Sequence, residues 1–477
     1  MITCYQQYLM QNKVEFLSRR TRVREKLHEQ FDLLRRCGSD HHRKLELGKG
    51  IWKILFECAM SYIDPDRRGY DRLFNYVDDY AEFEELMFAS DPFYRDHTLH
   101  SLWVYLVSEY LHREPLFDSF YDPLKPLVNW GSPPESLNAL EVLGYTMEHA
   151  PLDVFRCVAA LCHDLGYPIK KIGKINKAMS RILPYFSINR HQEFLVEYTA
   201  VQKDFLDGLV QMMSSDIVFC DESLQICSRY GIEEPLSEDG ARQLRRLSEQ
   251  ELDALRGELE IRHRILENRQ ARLRLLRNVE EYDHGFMSCY LLARNLPAFT
   301  SGVLYAVESG QSVPQVEKLA CKMYMLNAMA AHSSSTLKIR AFDHPETLLI
   351  LPDELEEFSR ISRASQNRQY VNEFCTSRLR MDGDVLVMDF IFDRGDPDVL
   401  RPELFFRGKS ERFLNLFDIP RLDPNLNVQM NCQDRLRAEH SRDYTLAISR
   451  DYVAMEVKGE FVSPAEYLQS PQLRQYQ

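Results

Sequence analysis

The run that most constrains this chain lies near its middle, where an apolar helix ends in a charge. Val154 to Leu165 is apolar almost all round, as a central buried helix should be, and it closes on Cys162-His163-Asp164-Leu165-Gly166. A carboxylate left unpaired in such a setting is strongly destabilising. Asp164 therefore needs either a cation or strong local donors, and on the dipeptide alone a metal ion and a simple cap serve equally well.

Other segments favour the metal. Tyr94-Arg95-Asp96-His97-Thr98-Leu99-His100 opens an amphipathic helix whose stripe is Leu99, Leu102, Trp103, Leu106, Tyr110 and Leu111. Downstream come Tyr282-Asp283-His284-Gly285, Ala331-His332-Ser333 and Leu349-Ile350-Leu351-Pro352-Asp353-Glu354-Leu355. Each places a His or Asp at or inside an apolar helical stretch. The candidate ligands, in order, are His100, His163, Asp164, His284, His332 and Asp353. Four imidazoles and two carboxylates from separate helices can hold two divalent cations with one carboxylate bridging. A nitrogen-rich set suits Mn, Fe, Co, Ni or Zn better than Mg or Ca.

The order His, His-Asp, His, His, Asp resembles the dinuclear members of the HD superfamily of metal-dependent phosphohydrolases. The strings Arg-Asp-His-x-x-His, Cys-His-Asp-x-Gly-Tyr-Pro, Tyr-Asp-His-Gly and Pro-x-x-Leu-Leu-x-Leu-x-Asp-Glu-Leu look like a bacterial-type branch of it. The resemblance covers residues 91–360 and implies an all-helical core. It also implies that His100, His163, Asp164 and Asp353 hold a first metal, while Asp164 bridges to a second held by His284 and His332. His100 rather than His97 matches the first histidine, because Val104 supplies the hydrophobic residue expected four positions later. His97 is then a contact to substrate or to a ligand, or only a helix-start residue; with Asp164 it is the candidate for a part in catalysis. Tyr167 stands where many members have lysine. Lys170, Lys171 and Arg95 are the candidates for contacting phosphate, with solvated lysines the plainer reading of the first two. Ser333 replaces a common amide, and Pro352 before Asp353 would strain a continuing helix unless it opens one. The Gly-Tyr-Pro signature of the cyclic-di-GMP branch is not apparent, since Gly166-Tyr167-Pro168 directly follows the His-Asp pair instead of lying beyond it.

The implied activity is hydrolysis of a nucleotide or related small phosphoester by a metal-activated water. The same ligands also suit a di-iron oxygenase, and a degenerate site would make a ligand sensor or partner-binding module. No Gly-x-Ser-x-Gly and no phosphate-binding Gly-rich loop is present. His112, His149, His191, His263, His344 and His440 have no matching context.

Around this core the chain reads as mainly α. Gly (19) and Pro (21) are too scarce for an all-β protein full of turns. Residues 1–90 read as a helical region, with Leu17, Val23, Leu27, Phe31 and Leu34 on one helix, Ile51, Leu55, Phe56 and Met60 on another, and His41 and His42 in a loop. A helical insertion spans about 200–280. Within it Leu252, Leu259, Leu266 and Leu273 repeat every seven residues, reading as a long amphipathic helix or short helical hairpin over 242–280 that packs on the core or, less favoured, on a second copy of the chain. Its arginines are read as a solvated face paired with interleaved glutamates in preference to a phosphate-attracting lid. Residues 365–477 read as a smaller C-terminal α+β domain, from Asp384–Asp393 and the hairpin of Tyr444–Ser449 with Tyr452–Val457.

Net charge is −13, from 59 basic and 72 acidic residues, which disfavours non-specific nucleic-acid binding. No apolar run reaches the roughly 18 residues a membrane span needs, no signal peptide is read, and 11 scattered cysteines without Cys-x-x-Cys fit reduced thiols. The expected setting is the cytoplasm, with no membrane partner.

Overall fold

The computed structural model describes residues 1–38, 40–90, 97–113, 152–188, 192–218, 221–233, 238–258, 264–300, 322–323, 325–334, 337–341, 345–357, 371–436, 442–470 and 473. The chain is mainly helical, with a six-stranded sheet near its C-terminus. Helices α1 (Ile2–Met10), α2 (Thr21–Arg36), α3 (His41–Met60), α4 (Tyr70–Ser90) and α5 (Thr98–Leu111) come first, and α6 (Leu152–Cys162) carries the apolar run. Apart from Asp153 and Arg156, α6 is apolar, and it is buried along most of its length: α3 and α5 pack against it, and α5 in turn carries α14 (Pro345–Leu355). Trp52 of α3 donates its indole N–H to the Leu161 carbonyl at 2.8 Å, tying the N-terminal helices to the end of α6.

Two details of the N-terminal reading are corrected. Leu17 is buried in a short 3-10 turn (Glu15–Leu17), not on the helix with Leu27, Phe31 and Leu34. His41 and His42 open α3, not a loop, because the Asp40 carboxylate caps that helix by accepting from the Arg43 N–H at 3.0 Å.

After α6 the chain turns at Gly166 into α7 (Tyr167–Ile182), followed by α8 (Ala200–Met213), β1 (Ser215–Val218), α9 (Asp221–Arg229), α10 (Glu238–Leu244), α11 (Glu249–Glu258), β2 (Arg264–Glu267), α12 (Arg269–Glu280) and α13 (His284–Asn295). The insertion is therefore not wholly helical, and no single helix or hairpin spans 242–280. β1 and β2 pair antiparallel with Asp216 opposite Leu266. Asn268 then restarts the helix by capping Ala271 at 3.2 Å. The seven-residue leucine repeat misleads because its members fall on different elements. Leu266 lies in β2, Leu273 is 68% exposed, and Leu255 and Leu275 face inward instead. Leu259 lies outside the described residues.

The C-terminal part is α+β as expected. β3 (Cys375–Asp382), β4 (Val385–Phe392), β5 (Asn427–Asp434), β6 (Arg442–Ser449), β7 (Tyr452–Val457) and β8 (Glu460–Val462) lie side by side in sequence order, and α16 (Pro464–Tyr467) follows. Every neighbouring pair is antiparallel except β4 and β5, which run parallel and are joined by α15 (Pro402–Leu416). Alternate residues, among them Met388, Phe390, Met430, Cys432, Leu446 and Met455, are buried, and α15 packs across β5 and β6. Buried apolar side chains run unbroken from the N-terminal helices into this sheet. Among the described residues no helix is long and apolar enough to cross a membrane, and the described cysteines are free thiols.

Asp153, at the start of α6, anchors the N-terminal segment by accepting from the Glu15 N–H at 2.6 Å and the Phe16 N–H at 3.4 Å. Burial, and after it the buried Glu109, pushes its carboxyl up to about 7. A raised carboxyl pKa means that the folded state holds the proton more tightly than the unfolded chain. Its stabilising share is complete below pH about 4 and is lost as pH rises through about 7. Asp153→Asn keeps an acceptor for the two N–H groups. Its melting temperature should match wild type near pH 4 and exceed it by a widening margin up to pH 8.

Close helix approach is set by glycine. A Cβ on Gly166 would lie 2.2 Å from the His284 carbonyl oxygen and 2.6 Å from the Ser288 nitrogen. Gly166→Ala should lower unfolding free energy in urea by about 3 kcal/mol. Gly173→Ala, in the same helix region with nothing within 4 Å, should be neutral or stabilise by up to about 1 kcal/mol.

Candidate metal centre

All six candidate side chains meet at one place. α6 ends at Cys162, and the turn that follows aims His163 and Asp164 at α5, α13, the helical stretch 325–331 and α14. Ser288 of α13 staples this turn: its hydroxyl accepts the Gly166 N–H at 2.7 Å and reaches the carbonyls of His163 (2.6 Å) and His284 (2.8 Å). The Tyr80 hydroxyl of α4 donates to the Asp164 carbonyl at 3.2 Å, and that of Tyr76 to the Leu165 carbonyl.

The two oxygens of Asp164 face different partners. Oδ2 lies 3.3 Å from His163 Nε2 and 3.9 Å from His100 Nε2. Asp353 Oδ1 closes this group at 2.7 Å from His100 Nε2 and 3.8 Å from His163 Nε2. Oδ1 of Asp164 lies 3.3 Å from His332 Nε2 and 3.4 Å from His284 Nε2, and those two nitrogens are 3.1 Å apart. Bonds of about 2.1 Å to a shared ion place neighbouring donors about 3.0 to 3.4 Å apart, so the second trio matches a common cation closely. In the first group, His100 and Asp353 have closed to hydrogen-bond distance.

Ring orientation decides which nitrogens can bind. His163 Nδ1–H donates to the Ala160 carbonyl at 2.7 Å and His332 Nδ1–H to the Met329 carbonyl, so both turn Nε2 toward the cluster, where that of His332 lies 3.3 Å from Asp164 Oδ1. His163 Nε2 is buried and has no hydrogen-bond partner among the described residues. His100 Nδ1 is held by Glu356 Oε2 at 2.6 Å, a buried carboxylate behind the ring. His284 is the exception. Its Nδ1 faces the Lys170 ammonium at 3.2 Å, which leaves the neutral ring's proton on Nε2. Asp283 lies 3.9 Å from that Nδ1 and is the alternative partner. Asp283 is also tied to the second histidine, because it accepts from the Ser333 hydroxyl.

Burial would raise the Asp164 carboxyl, but His163 and His332 outweigh it and hold it well below the usual range. Burial would lower His332, but its bond to Asp164 raises it instead. His284 is lowered well below its ordinary value by burial and by His332.

His97 stands beside the cluster and outside the ligand groups. Its N–H donates to Glu84 at 2.6 Å and its Nδ1 is 3.1 Å from the same carboxylate. Its ring lies 3.9 Å from the Tyr167 ring, which is in turn 4.1 Å from the His284 ring, so Tyr167 is wedged between two imidazoles. Lys170 reaches the cluster edge. Lys171 instead lies 4.9 Å from the centre of the Tyr167 ring. Pro352 is inside α14, not at its start; it forgoes one helical bond, and the last turn continues with Glu356 N–H donating to the Pro352 carbonyl at 3.0 Å. Arg95 lies outside the described residues, as do His149, His191, His263, His344 and His440. Glu84, Tyr80, Ser288 and Glu356 were missed in the sequence, and only Glu356, one helical turn after Asp353, carried a local signal.

Gly285 lets α13 approach the His332 segment: a Cβ there would lie 2.4 Å from the Met329 carbonyl oxygen, the atom that orients His332. Comparisons with protein-family models, with curated proteins and with solved structures find no match to this chain.

Proposed function

We propose that the chain is a metal-dependent phosphohydrolase with an HD-type helical core, acting on a nucleotide or related small phosphoester. The observation that carries this reading is the division of Asp164, one oxygen toward His100 and His163, which Asp353 also faces, and the other toward His284 and His332. The donor set fits two divalent transition cations, with Asp164 shared. His100, His163 and His332 already present the nitrogen required. His284 fits once its proton moves to Nδ1, with Asp283 as acceptor in place of Lys170.

When bound, such cations polarise a phosphoryl oxygen and bring a water's pKa toward neutrality. The surrounding residues have separate duties. Glu356 and the carbonyls of Ala160 and Met329 hold three rings at fixed tilt, so little reorientation is required as charge develops. His97, steadied by Glu84, is the group placed to pass a proton to the leaving oxygen. Lys170, 41% exposed at the edge of the cluster, is the cation placed to meet a phosphate oxygen.

The test is metal analysis of the purified protein, followed by a phosphate-release screen over nucleoside triphosphates, monophosphates and cyclic nucleotides. Asp164→Ala should lose both cations and lower turnover at least about 100-fold, whereas His332→Ala should lose one cation. Unchanged turnover in folded Asp164→Ala ends the reading.

A further inference from the structure

We propose that Lys409, on α15 of the C-terminal domain, is a positioning residue for the metal centre, acting through the segment that carries Asp353; this rests on reading the His/Asp cluster as a two-cation site. Lys409 is only 4% exposed. Its ammonium has three N–H donors and three acceptors: Glu357 Oε1 at 3.0 Å, Glu354 Oε1 at 2.9 Å, and the Glu354 backbone carbonyl. That carbonyl is among the last four of α14, which have no partner within their own helix. Lys409 therefore caps α14 at the end where Asp353 sits, and does so with a positive charge at the negative end of the helix dipole.

The four acidic residues within 353–357 divide their work between two directions. Asp353 and Glu356 point to His100, at 2.7 and 2.6 Å, while Glu354 and Glu357 point to Lys409. A rotation of this short segment that released the lysine would also move the Asp353 carboxylate and the carboxylate behind His100. An apolar contact could dock α15 as firmly but would tolerate sliding. A buried ammonium with every donor satisfied tolerates very little, because any shift leaves a charge unpaired. The same helix ends beside the chain that leaves His332: Ile339 N–H donates to the Leu416 carbonyl at 2.8 Å, and Asp418 N–H to the Ile339 carbonyl at 2.9 Å. That second tie also carries an ion pair, Arg340 Nε to Asp418 Oδ2 at 2.6 Å, but its arginine is exposed, so the buried charged control falls on the His100, His163 and Asp353 group.

The experiment uses the full chain stripped of metal and titrated with Mn²⁺ by calorimetry, with melting curves to show that each variant is folded. Lys409→Met combined with Glu357→Gln removes the ammonium together with its most buried carboxylate partner. Wild type should take up two Mn²⁺. The double variant should bind one with wild-type affinity and the other about tenfold or more weakly. A mere docking role would lower the melting temperature and leave both affinities unchanged, and that result overturns the proposal. Wild type that takes up no Mn²⁺ overturns the two-cation reading itself, and the positioning role falls with it. Should the double variant fail to fold, Glu357→Gln alone decides, since Lys409 keeps Glu354: weakening confined to one of the two sites supports the role, and unchanged affinities overturn it.

Discussion

A carboxylate sunk among imidazoles governs this architecture. Asp164 sits buried at the end of the apolar helix α6, and the groups facing its oxygens are histidine nitrogens from four separate segments. Burial alone would drive such a group toward its neutral form. The imidazoles reverse that, and His332 in particular gains basicity from the contact. The price is geometric: α5, the α6 turn, α13 and the 325–331 helix must all end within one side chain's reach of a single point. The small residues at the crossings, Gly166 and Gly285, follow from that requirement, since a methyl group at either would strike a neighbouring carbonyl.

The ring orientations are held from outside the cluster. Three of the four candidate ligand histidines have Nδ1 occupied by a carbonyl or a carboxylate, and only Nε2 is turned inward. His284 departs from this with Lys170 at its Nδ1, so the two halves of the site are not equivalent. The His332 and His284 half has donor spacings suited to a common cation as it stands but needs a proton shift on His284. The other half turns Nε2 of both rings inward but has drawn His100 Nε2 and Asp353 together at 2.7 Å.

Much of this was legible in residue order. The His-Asp pair at the end of an apolar run, and histidines at the edges of other apolar runs, identified the six side chains that converge, because burying polar groups in helical stretches leaves a pattern along the chain. The hairpin of β6 and β7 was legible for a similar reason: alternation and a two-residue turn are local. The insertion was not. A seven-residue leucine repeat reads as one helix only if nothing interrupts it, and the pairing of Ser215–Val218 with Arg264–Glu267 is a contact across about fifty residues that no periodicity records. Glu84 and Tyr80 were invisible for the same reason, being ordinary members of a helix far from the motifs they support.

What the chain determines by itself is therefore composition and local order: mainly helical, acidic overall, a strand-rich end, and six metal-competent side chains in a fixed succession. Which oxygen of Asp164 faces which histidine, which ring nitrogen is turned inward, and that a lysine some 55 residues beyond Asp353 grips the end of its helix were decided only by the tertiary structure. These are relations of distance and angle between elements remote in sequence. They arise from how helices pack, and packing depends on side-chain shape summed over the whole core.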